Sequence, residues 1–267
     1  PAPMARPQRS PQPPPHPGPS PALRQRTVLV SGASRGIGRA IASRLLEAGH
    51  RLSLGVRDPE APEAWWASSP SIAGTAERLL IHPYDALAAE QSANSGETWV
   101  EATVARWGGV DAVVHSAGIL SRVGVTYSTQ EAGEIRQLLD VNLMGPWRLS
   151  RAAWPHLEAS GDGRVLTLVS MSGKRVKGRL AAYGVSKFAL MGLCQALRNE
   201  GWEAGIRVTA ICPGWVNTAM AAAVTAVPPE AMTQPEDLAD TVAHLLSLPA
   251  AAVPFELAVN CVLESGG

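Results

Sequence analysis

Short apolar runs alternate with longer amphipathic segments along most of the chain. The runs lie at residues 27–30, 51–56, 79–82, 110–114, 165–169, 206–212 and 255–260. Continuous apolar runs of this length are typical of parallel strands that are buried on both faces. The pattern therefore predicts an α/β fold, a single-domain doubly wound parallel sheet of the Rossmann-like type, with about seven strands and helices on both faces.

The segments between the runs carry a helical period. Ile37, Ile41 and Leu45 lie on one face of a helix that Gly49 ends. Further helices are predicted at 98–107, in two pieces within 131–160, from about Tyr183 onward, and at 235–246. These helices would cover the two faces of the sheet.

Residues 1–26 differ from the rest of the chain. They hold ten of the 22 prolines, four arginines and no acidic residue. Such a segment cannot bury enough apolar surface to fold alone, so polyproline II structure or disorder is expected. We interpret it as a flexible extension, although a Pro-rich binding motif stays open. Residues 27–267 form the predicted catalytic domain, with a short substrate-binding segment near 215–233.

Composition narrows the classes of function. The 267 residues are 46% hydrophobic and carry a formal charge of +0, so no basic surface for nucleic acid or membrane is indicated. No apolar run approaches the roughly 20 residues of a membrane-spanning helix. The three cysteines are far apart and odd in number, which favours reduced thiols, a cytoplasmic setting and no metal site. Cys194 and Cys212 are predicted core residues.

Candidate chemistry centres on Tyr183 and Lys187. They are four residues apart at the start of an apolar helical run, so they share a helix face. A free tyrosine has a pKa near ~10, and a cation held close to it is expected to lower that pKa toward neutrality. A surface tyrosine and lysine on an ordinary helix is the alternative, and the pentapeptide alone does not exclude it.

Three further motifs point to the same chemistry. Ser170 follows the run at 165–169, at the strand end where open α/β sheets bind ligands. Residues 31–38, Ser-Gly-Ala-Ser-Arg-Gly-Ile-Gly, join a strand to a helix, and Asn142 interrupts a helical segment. In this order and spacing the motifs resemble the short-chain dehydrogenase/reductase family, over about residues 27–260.

The three glycines of the loop have physical roles that do not depend on the family resemblance. Gly32 permits a tight turn, Gly36 lets a pyrophosphate approach the backbone, and Gly38 lets the helix pack on the strand. The N-terminus of the following helix then offers free N–H groups to the phosphates.

The nucleotide is predicted from the end of the second strand. Relatives that bind NAD have an acidic residue there, and here the position is Val56. Arg57 follows, and Arg35 lies in the glycine loop; two guanidinium groups suit a 2′-phosphate. We therefore predict NADP(H), with the alternative that Asp58 turns inward to the ribose.

The resemblance implies roles for the remaining residues. Ser170 would stabilise the substrate oxygen, Tyr183 would act as general acid, Lys187 would bind the nicotinamide ribose, and Asn142 would hold a water that links Lys187 to solvent. The expected cofactor-binding residues are Gly32, Ser34, Arg35, Gly36, Ile37, Gly38, Arg57, Asp85, Ala117, Gly118, Tyr183, Lys187, Pro213, Gly214, Val216 and Thr218.

The chain departs from the family in places. His115-Ser116-Ala117-Gly118 replaces the usual Asn-Asn-Ala-Gly, which leaves the bracing of this turn open; His115 is predicted to be a hydrogen-bonded turn residue.

Four cations within residues 174–179 could recognise an anionic substrate or be a solvated loop face. Trp215 could lie near the nicotinamide or in the core.

The sequence thus predicts an NADP(H)-dependent oxidoreductase that acts on a small carbonyl or alcohol substrate and works as a reductase. An NAD-dependent alcohol dehydrogenase and a non-catalytic NADP-binding regulatory protein are the alternatives. The family resemblance implies a homodimer or homotetramer.

Overall fold

Seven parallel strands form one sheet in the computed structural model, which describes residues 24–61, 64–68 and 74–263. The strands are β1 (Thr27–Ser31), β2 (Arg51–Val56), β3 (Leu79–Pro83), β4 (Ala112–His115), β5 (Arg164–Leu168), β6 (Arg207–Pro213) and β7 (Glu256–Val259). Their order across the sheet is β3-β2-β1-β4-β5-β6-β7, and each neighbouring pair is parallel. The predicted doubly wound α/β fold is confirmed.

Helices cover both faces of this sheet. They are α1 (Gly36–Glu47), α2 (Trp65–Ser68), α3 (Gly96–Trp107), α4 (Ala132–Leu139), α5 (Gly145–Ala159), α6 (Ala181–Gly201) and α7 (Pro235–Ser247). A π-helical turn, Asp140–Met144, joins α4 to α5. Side chains of α3, α5 and α6 pack in one core that includes Trp99, Leu149 and Leu190. Side chains of α1 and α7 pack in the other core, with Ile41 and Leu238.

The strand order reverses between β1 and β4. From β1 the chain moves outward through β2 and β3, then crosses back to β4 on the other side. A crevice opens at such a switch point, beyond the carboxyl ends of the strands. The glycine loop after β1 and the residues after β4 therefore lie at its edges.

The segment before β1 is part of the domain. The Arg26 side chain is 4% exposed, and its guanidinium donates to the Leu246 carbonyl at 3.2 Å and to Asp162 Oδ2 at 2.6 Å. The domain boundary expected at Thr27 is therefore too late, because Arg26 is fixed by contacts that lie far away in sequence. The flexibility expected of the remaining tail concerns residues 1–23, which lie outside the described residues.

Over the described ranges, 24–61, 64–68 and 74–263, none of the helices is long and apolar enough to cross a bilayer.

Candidate active site

The glycine loop presents a bare backbone surface between β1 and α1. Gly32 and Gly36 have φ angles of 69° and 55°, in the region that favours glycine. A Cβ atom on Gly38 would lie 2.3 Å from the carbonyl oxygen of Gly32. The tight turn expected at Gly32 and the close packing expected at Gly38 are therefore both observed.

The N-terminus of α1 faces this loop without a capping side chain. Arg35 is the N-cap residue but makes no side-chain cap, and the first turn contains no acidic residue. The first N–H groups of a helix have no partner within the helix, and the helix dipole favours an anion beside them. The geometry fits the phosphates of a dinucleotide.

Ser31 braces the turn that follows β4. Its hydroxyl accepts hydrogen bonds from the backbone N–H groups of Ser116 and Ala117, each at 3.2 Å. These two hydrogen bonds hold the turn, which lacks the two asparagines that the family usually has at this place. The sequence analysis did not single out Ser31, although its position at the end of β1, next to β4, was a usable signal.

His115 is the buried last residue of β4, so the predicted turn position is wrong, whereas the predicted hydrogen bond is present. Its Nε2 atom lies 2.8 Å from the Ser150 hydroxyl, and burial lowers the pKa of its imidazole to about 3. The ring is therefore neutral at physiological pH. A hydrogen-bonded neutral ring with 2% exposure is consistent with bracing of α5 against β4.

Ser170 and Tyr183 come together at the carboxyl end of β5. Ser170 directly follows the buried strand and has a φ angle of 121°, which is unusual for a residue with a side chain. Its hydroxyl accepts from the Ser172 N–H at 3.1 Å and is hydrogen-bonded with the Tyr183 phenol. Backbone strain of this kind is common at functional sites, where the surrounding structure maintains it.

Lys187 lies over the Tyr183 ring and is hydrogen-bonded to the end of β5. The Lys187 side chain is buried, its Nζ donates to the Leu168 carbonyl at 3.0 Å, and Nζ is 5.8 Å from the centre of the Tyr183 ring. Burial lowers the pKa of Lys187 to about 8. Lys187 therefore remains mostly protonated at neutral pH.

The expected effect of Lys187 on Tyr183 is wrong for this arrangement. Burial raises the pKa of the Tyr183 phenol above its usual value, and the hydrogen bond with Ser170 offsets this only in part. Burial of the phenol is the cause, since the Tyr183 side chain is 9% exposed. The phenol is therefore protonated at neutral pH.

Asn142 ties three parts of the site together. Its Oδ1 accepts from the Ile119 N–H at 2.9 Å, and its Nδ2 donates to the Ile119 carbonyl at 3.0 Å and to Ser186 Oγ at 3.1 Å. Ser186 Oγ in turn donates to the Tyr183 carbonyl at 2.8 Å. The π-helical turn places Asn142 at full burial between α6 and the residues after β4. A β-carbon on Gly118 would lie 3.4 Å from Asn142 Oδ1 and 3.7 Å from Lys187 Nζ.

The end of β2 lies beside the glycine loop. The Gly32 N–H donates to the Gly55 carbonyl at 3.1 Å, so Arg57 and Arg35 project from neighbouring segments, and both are exposed. Val56 is 3% exposed and has no side-chain group that accepts a ribose hydroxyl. Asp58 accepts from the Glu60 N–H at 3.1 Å within its own turn, which weakens the alternative that it binds the ribose.

The segment after β6 closes the other side of the crevice. The Gly214 N–H donates to the Val259 carbonyl at 2.8 Å, which attaches Pro213 and Gly214 to β7. The Thr218 methyl group lies 3.5 Å from the position that a Cβ on Gly36 would occupy. Trp215 is 41% exposed, so the core alternative for this ring is wrong.

The remaining predicted residues line the same edge of the sheet. Ser34 and Ile37 belong to the glycine loop and the first turn of α1, Ala117 and Gly118 follow β4, and Val216 is 6% exposed. Asp85 follows β3, and its Oδ1 accepts from the Leu87 N–H at 2.9 Å. Together these groups provide a bare loop, a free helix end and flanking polar groups, which suit a dinucleotide.

Lys174 of the basic loop is paired with an acidic residue. Lys174 forms an ion pair with Glu256 at the start of β7, a contact that the sequence analysis missed. The pair attaches the turn after Ser170 to the edge of the sheet. Arg179 lies next to Gly124, with its Nε 3.8 Å from the position of an added Cβ there.

Comparison with known proteins identifies the class. The model of the short chain dehydrogenase family matches residues 26–228, and the chain belongs to that family. Members of the family use a nicotinamide cofactor. The expected family membership is thus confirmed.

Individual relatives agree with this assignment. Agropine synthesis reductase of Rhizobium rhizogenes is 34% identical over 238 residues, an alignment that covers 89% of this chain and 53% of that protein. The chain thus spans about half the length of this relative. Acetoacetyl-CoA reductase of Paracoccus denitrificans is 29% identical over 232 residues, which cover 83% of this chain and 90% of that protein.

Solved structures share the fold. An alcohol dehydrogenase from Thermococcus sibiricus, complexed with 5-hydroxy-NADP, has a TM-score of 0.76 at 28% identity and covers 91% of this chain and 100% of its own. A metagenomic short-chain oxidoreductase in complex with NADP has a TM-score of 0.73 at 28% identity and covers 91% of this chain and 100% of its own.

Proposed function

We propose that this protein is an NADP(H)-dependent oxidoreductase that transfers hydride between the nicotinamide and a carbonyl or secondary alcohol group, and that it works as a reductase. The observation that carries the proposal is the pairing of Ser170 with a buried, protonated Tyr183 at the carboxyl end of β5. Hydrogen-bond donors at this position suit an oxygen that gains negative charge.

The side chains have distinct roles in this reaction. NADPH, when bound, supplies the hydride. Ser170 donates a hydrogen bond to the substrate oxygen, and its own oxygen is held by the Ser172 N–H. Tyr183 gives its proton to the same oxygen, and its raised pKa keeps that proton in place at neutral pH.

Lys187 and Asn142 support these two residues. The Lys187 ammonium is fixed by the Leu168 carbonyl, 5.8 Å from the centre of the Tyr183 ring, where it can hold a ribose hydroxyl. Asn142 fixes the start of α6 through Ser186. In this role Asn142 is a positioning residue.

NADP(H) is the proposed nucleotide. Val56 offers no acceptor for the ribose hydroxyls, whereas Arg35 and Arg57 are exposed on adjoining segments and suit a 2′-phosphate. The two solved relatives described above carry NADP or 5-hydroxy-NADP, which supports the same choice.

A direct test follows NADPH and NADH oxidation at 340 nm against a panel of aldehydes, ketones and keto acids. NADPH should support reduction and NADH should bind more weakly, and deuterium from nicotinamide-labelled NADPH should appear on the former carbonyl carbon. Binding of NADPH without reduction of any carbonyl would contradict the reductase. Tighter binding of NADH would contradict the nucleotide choice.

We also propose that the protein is a homo-oligomer. Trp147 on α5 and Val185 and Phe188 on α6 are 50%, 59% and 44% exposed, and large apolar side chains exposed on these helices suit a subunit interface. Light scattering measures the mass in solution.

A further inference from the structure

The connection between β2 and β3 reaches back to the glycine loop through one indole. Trp65 lies on α2, is 5% exposed, and its Nε1–H donates to the Ala33 carbonyl at 2.8 Å. The ring packs in the same core cluster as Ala33 and Val56. This hydrogen bond is a fixed contact between the glycine loop and a segment 32 residues later.

The two segments carry the two arginines that the nucleotide choice depends on. Ala33 lies between Gly32, whose φ angle is 69°, and Arg35 at the start of α1. Arg57 directly follows β2 and begins the connection that leads to Trp65. Both arginine side chains are exposed, so the positions of the two guanidinium groups depend on the backbone segments that carry them.

The backbone around Ala33 needs such a contact. A loop that presents free N–H groups to an anion must hold its carbonyl groups away from that anion, since a carbonyl oxygen would repel phosphate. An indole N–H bonded to the Ala33 carbonyl keeps this group directed into the protein.

We propose that Trp65 is a positioning residue for nucleotide binding. It holds the glycine loop and the segment after β2 at the separation at which Arg35 and Arg57 can both contact one 2′-phosphate. The inference rests on the proposed NADP(H) function. It adds to that function a specificity-determining residue that itself need not touch the nucleotide.

A buried indole needs a hydrogen-bond partner in any protein, so stability alone does not test this role. Trp65→Phe keeps an aromatic ring and removes the donor. Trp107→Phe is the control for loss of an indole donor at a more exposed position, because the Trp107 indole also donates to a backbone carbonyl, that of Glu77 at 3.2 Å, on the segment before β3. Circular dichroism and thermal melting establish that each variant folds.

The measurement is the Kd of NADPH and of NADH for the wild-type protein and both variants, by calorimetry. Trp65→Phe should raise the Kd of NADPH about tenfold, because binding must then restore the loop geometry that the hydrogen bond maintains, at a cost of about one hydrogen bond. The Kd of NADH should rise much less, so the preference for NADPH shrinks. Trp107→Phe should keep both the affinities and the preference of the wild-type protein.

The outcomes separate the two proposals. An unchanged Kd and preference in folded Trp65→Phe would overturn the role of Trp65 and leave the proposed function intact. Failure of wild-type protein to bind either nucleotide would overturn both proposals. An equal rise of both Kd values would show a general weakening and would also contradict the specificity role.

Hydrogen exchange on the wild-type protein covers the case in which Trp65→Phe does not fold. Addition of NADPH should protect the amides of residues 31–38 and of residues 64–67 together, because the two segments are joined. Protection of the glycine loop with unchanged exchange at 64–67 would overturn the inference.

Discussion

At the scale of single residues, Asn142 shows how one side chain sets the site. All three of its hydrogen bonds go to groups in other segments, the backbone of Ile119 and the hydroxyl of Ser186. Ser186 also holds the Tyr183 carbonyl. The side chain thus connects the residues after β4 with the helix that carries Tyr183 and Lys187.

Asn142→Ala should therefore destabilise the protein strongly. The substitution removes the partner of both half-buried backbone groups of Ile119 and one partner of the buried Ser186 hydroxyl, which should lower the free energy of unfolding by about 3 kcal/mol. Urea denaturation measures this loss. Asn199→Ala, an exposed change on α6, is the control and should cost less than about 0.5 kcal/mol. Equal losses for the two variants would contradict the role of Asn142.

The relation of Tyr183 to Lys187 marks the limit of prediction from the sequence at this scale. A spacing of four residues correctly places both side chains on one helix face. It does not reveal that the Leu168 carbonyl accepts from the ammonium, because that contact depends on how α6 packs over the end of β5. The spacing also does not reveal how far the phenol is buried, and burial raises its pKa, so the direction of the pKa shift was predicted with the wrong sign.

At the scale of elements, the approach of α1 to β1 depends on one glycine. Gly38→Ala would place a methyl group 2.3 Å from the Gly32 carbonyl oxygen and 2.9 Å from the Ser116 hydroxyl oxygen. Backbone cannot move away cheaply inside a packed sheet, so the melting temperature should fall clearly, by several degrees, with a loss of a few kcal/mol.

Gly192→Ala supplies the opposite case. Gly192 lies within α6, and an added Cβ there meets no atom within 4 Å. Alanine in an exposed helix position is favoured over glycine by roughly 0.5–1 kcal/mol, so this variant should melt at or above the wild-type temperature. A Gly38→Ala protein as stable as Gly192→Ala would show that the contact between α1 and the loop is not tight.

Strands and helices were predictable because their apolar runs and periods are local. The second strand was predicted with the bounds that the structure shows, and the other strands differ by one or two residues at one end or at both. The contact of Trp65 with Ala33 was not predictable. It depends on a connection that folds back over 32 residues, and no local pattern encodes that return.

At the scale of the whole molecule, Asp162 holds the amino-terminal side of the sheet together. Its carboxylate lies 2.6 Å from the guanidinium groups of both Arg26 and Arg164, which are 4% and 1% exposed. These arginines also donate to the carbonyls of Leu246 and Leu248 at the end of α7. One carboxylate therefore links the segment before β1, the start of β5 and the last helix.

Asp162→Ala should cost about 3 kcal/mol at pH 7, because it leaves two buried guanidinium groups without their shared partner. Burial alone raises the pKa of Asp162, but the hydrogen bond from Arg26 and the charges of Arg164 and Arg26 lower it overall below 3.8. A lowered pKa in the folded state stabilises the protein above that value, and this contribution is lost as the pH falls through the folded-state pKa.

The stability difference between the wild-type protein and Asp162→Asn should accordingly stay constant from pH 7 to about pH 4 and shrink below it. Urea denaturation over this pH range measures it. A difference that stays the same or grows below pH 4 would contradict the assigned pKa direction. The sequence analysis assigned Arg26 to the Pro-rich extension, whose composition indicates disorder. It therefore did not predict that Arg26 takes part in this network of ion pairs.

Dependence of hydride transfer on Tyr183 tests the central claim most directly. Turnover of the best carbonyl of the panel with saturating NADPH is compared for wild-type protein, Tyr183→Phe and the control Tyr127→Phe, which changes a half-exposed tyrosine. Loss of the proton donor should lower the turnover number of Tyr183→Phe by about 10²–10⁴-fold while its Kd for NADPH stays near the wild-type value. Turnover of Tyr183→Phe equal to that of Tyr127→Phe would contradict the account.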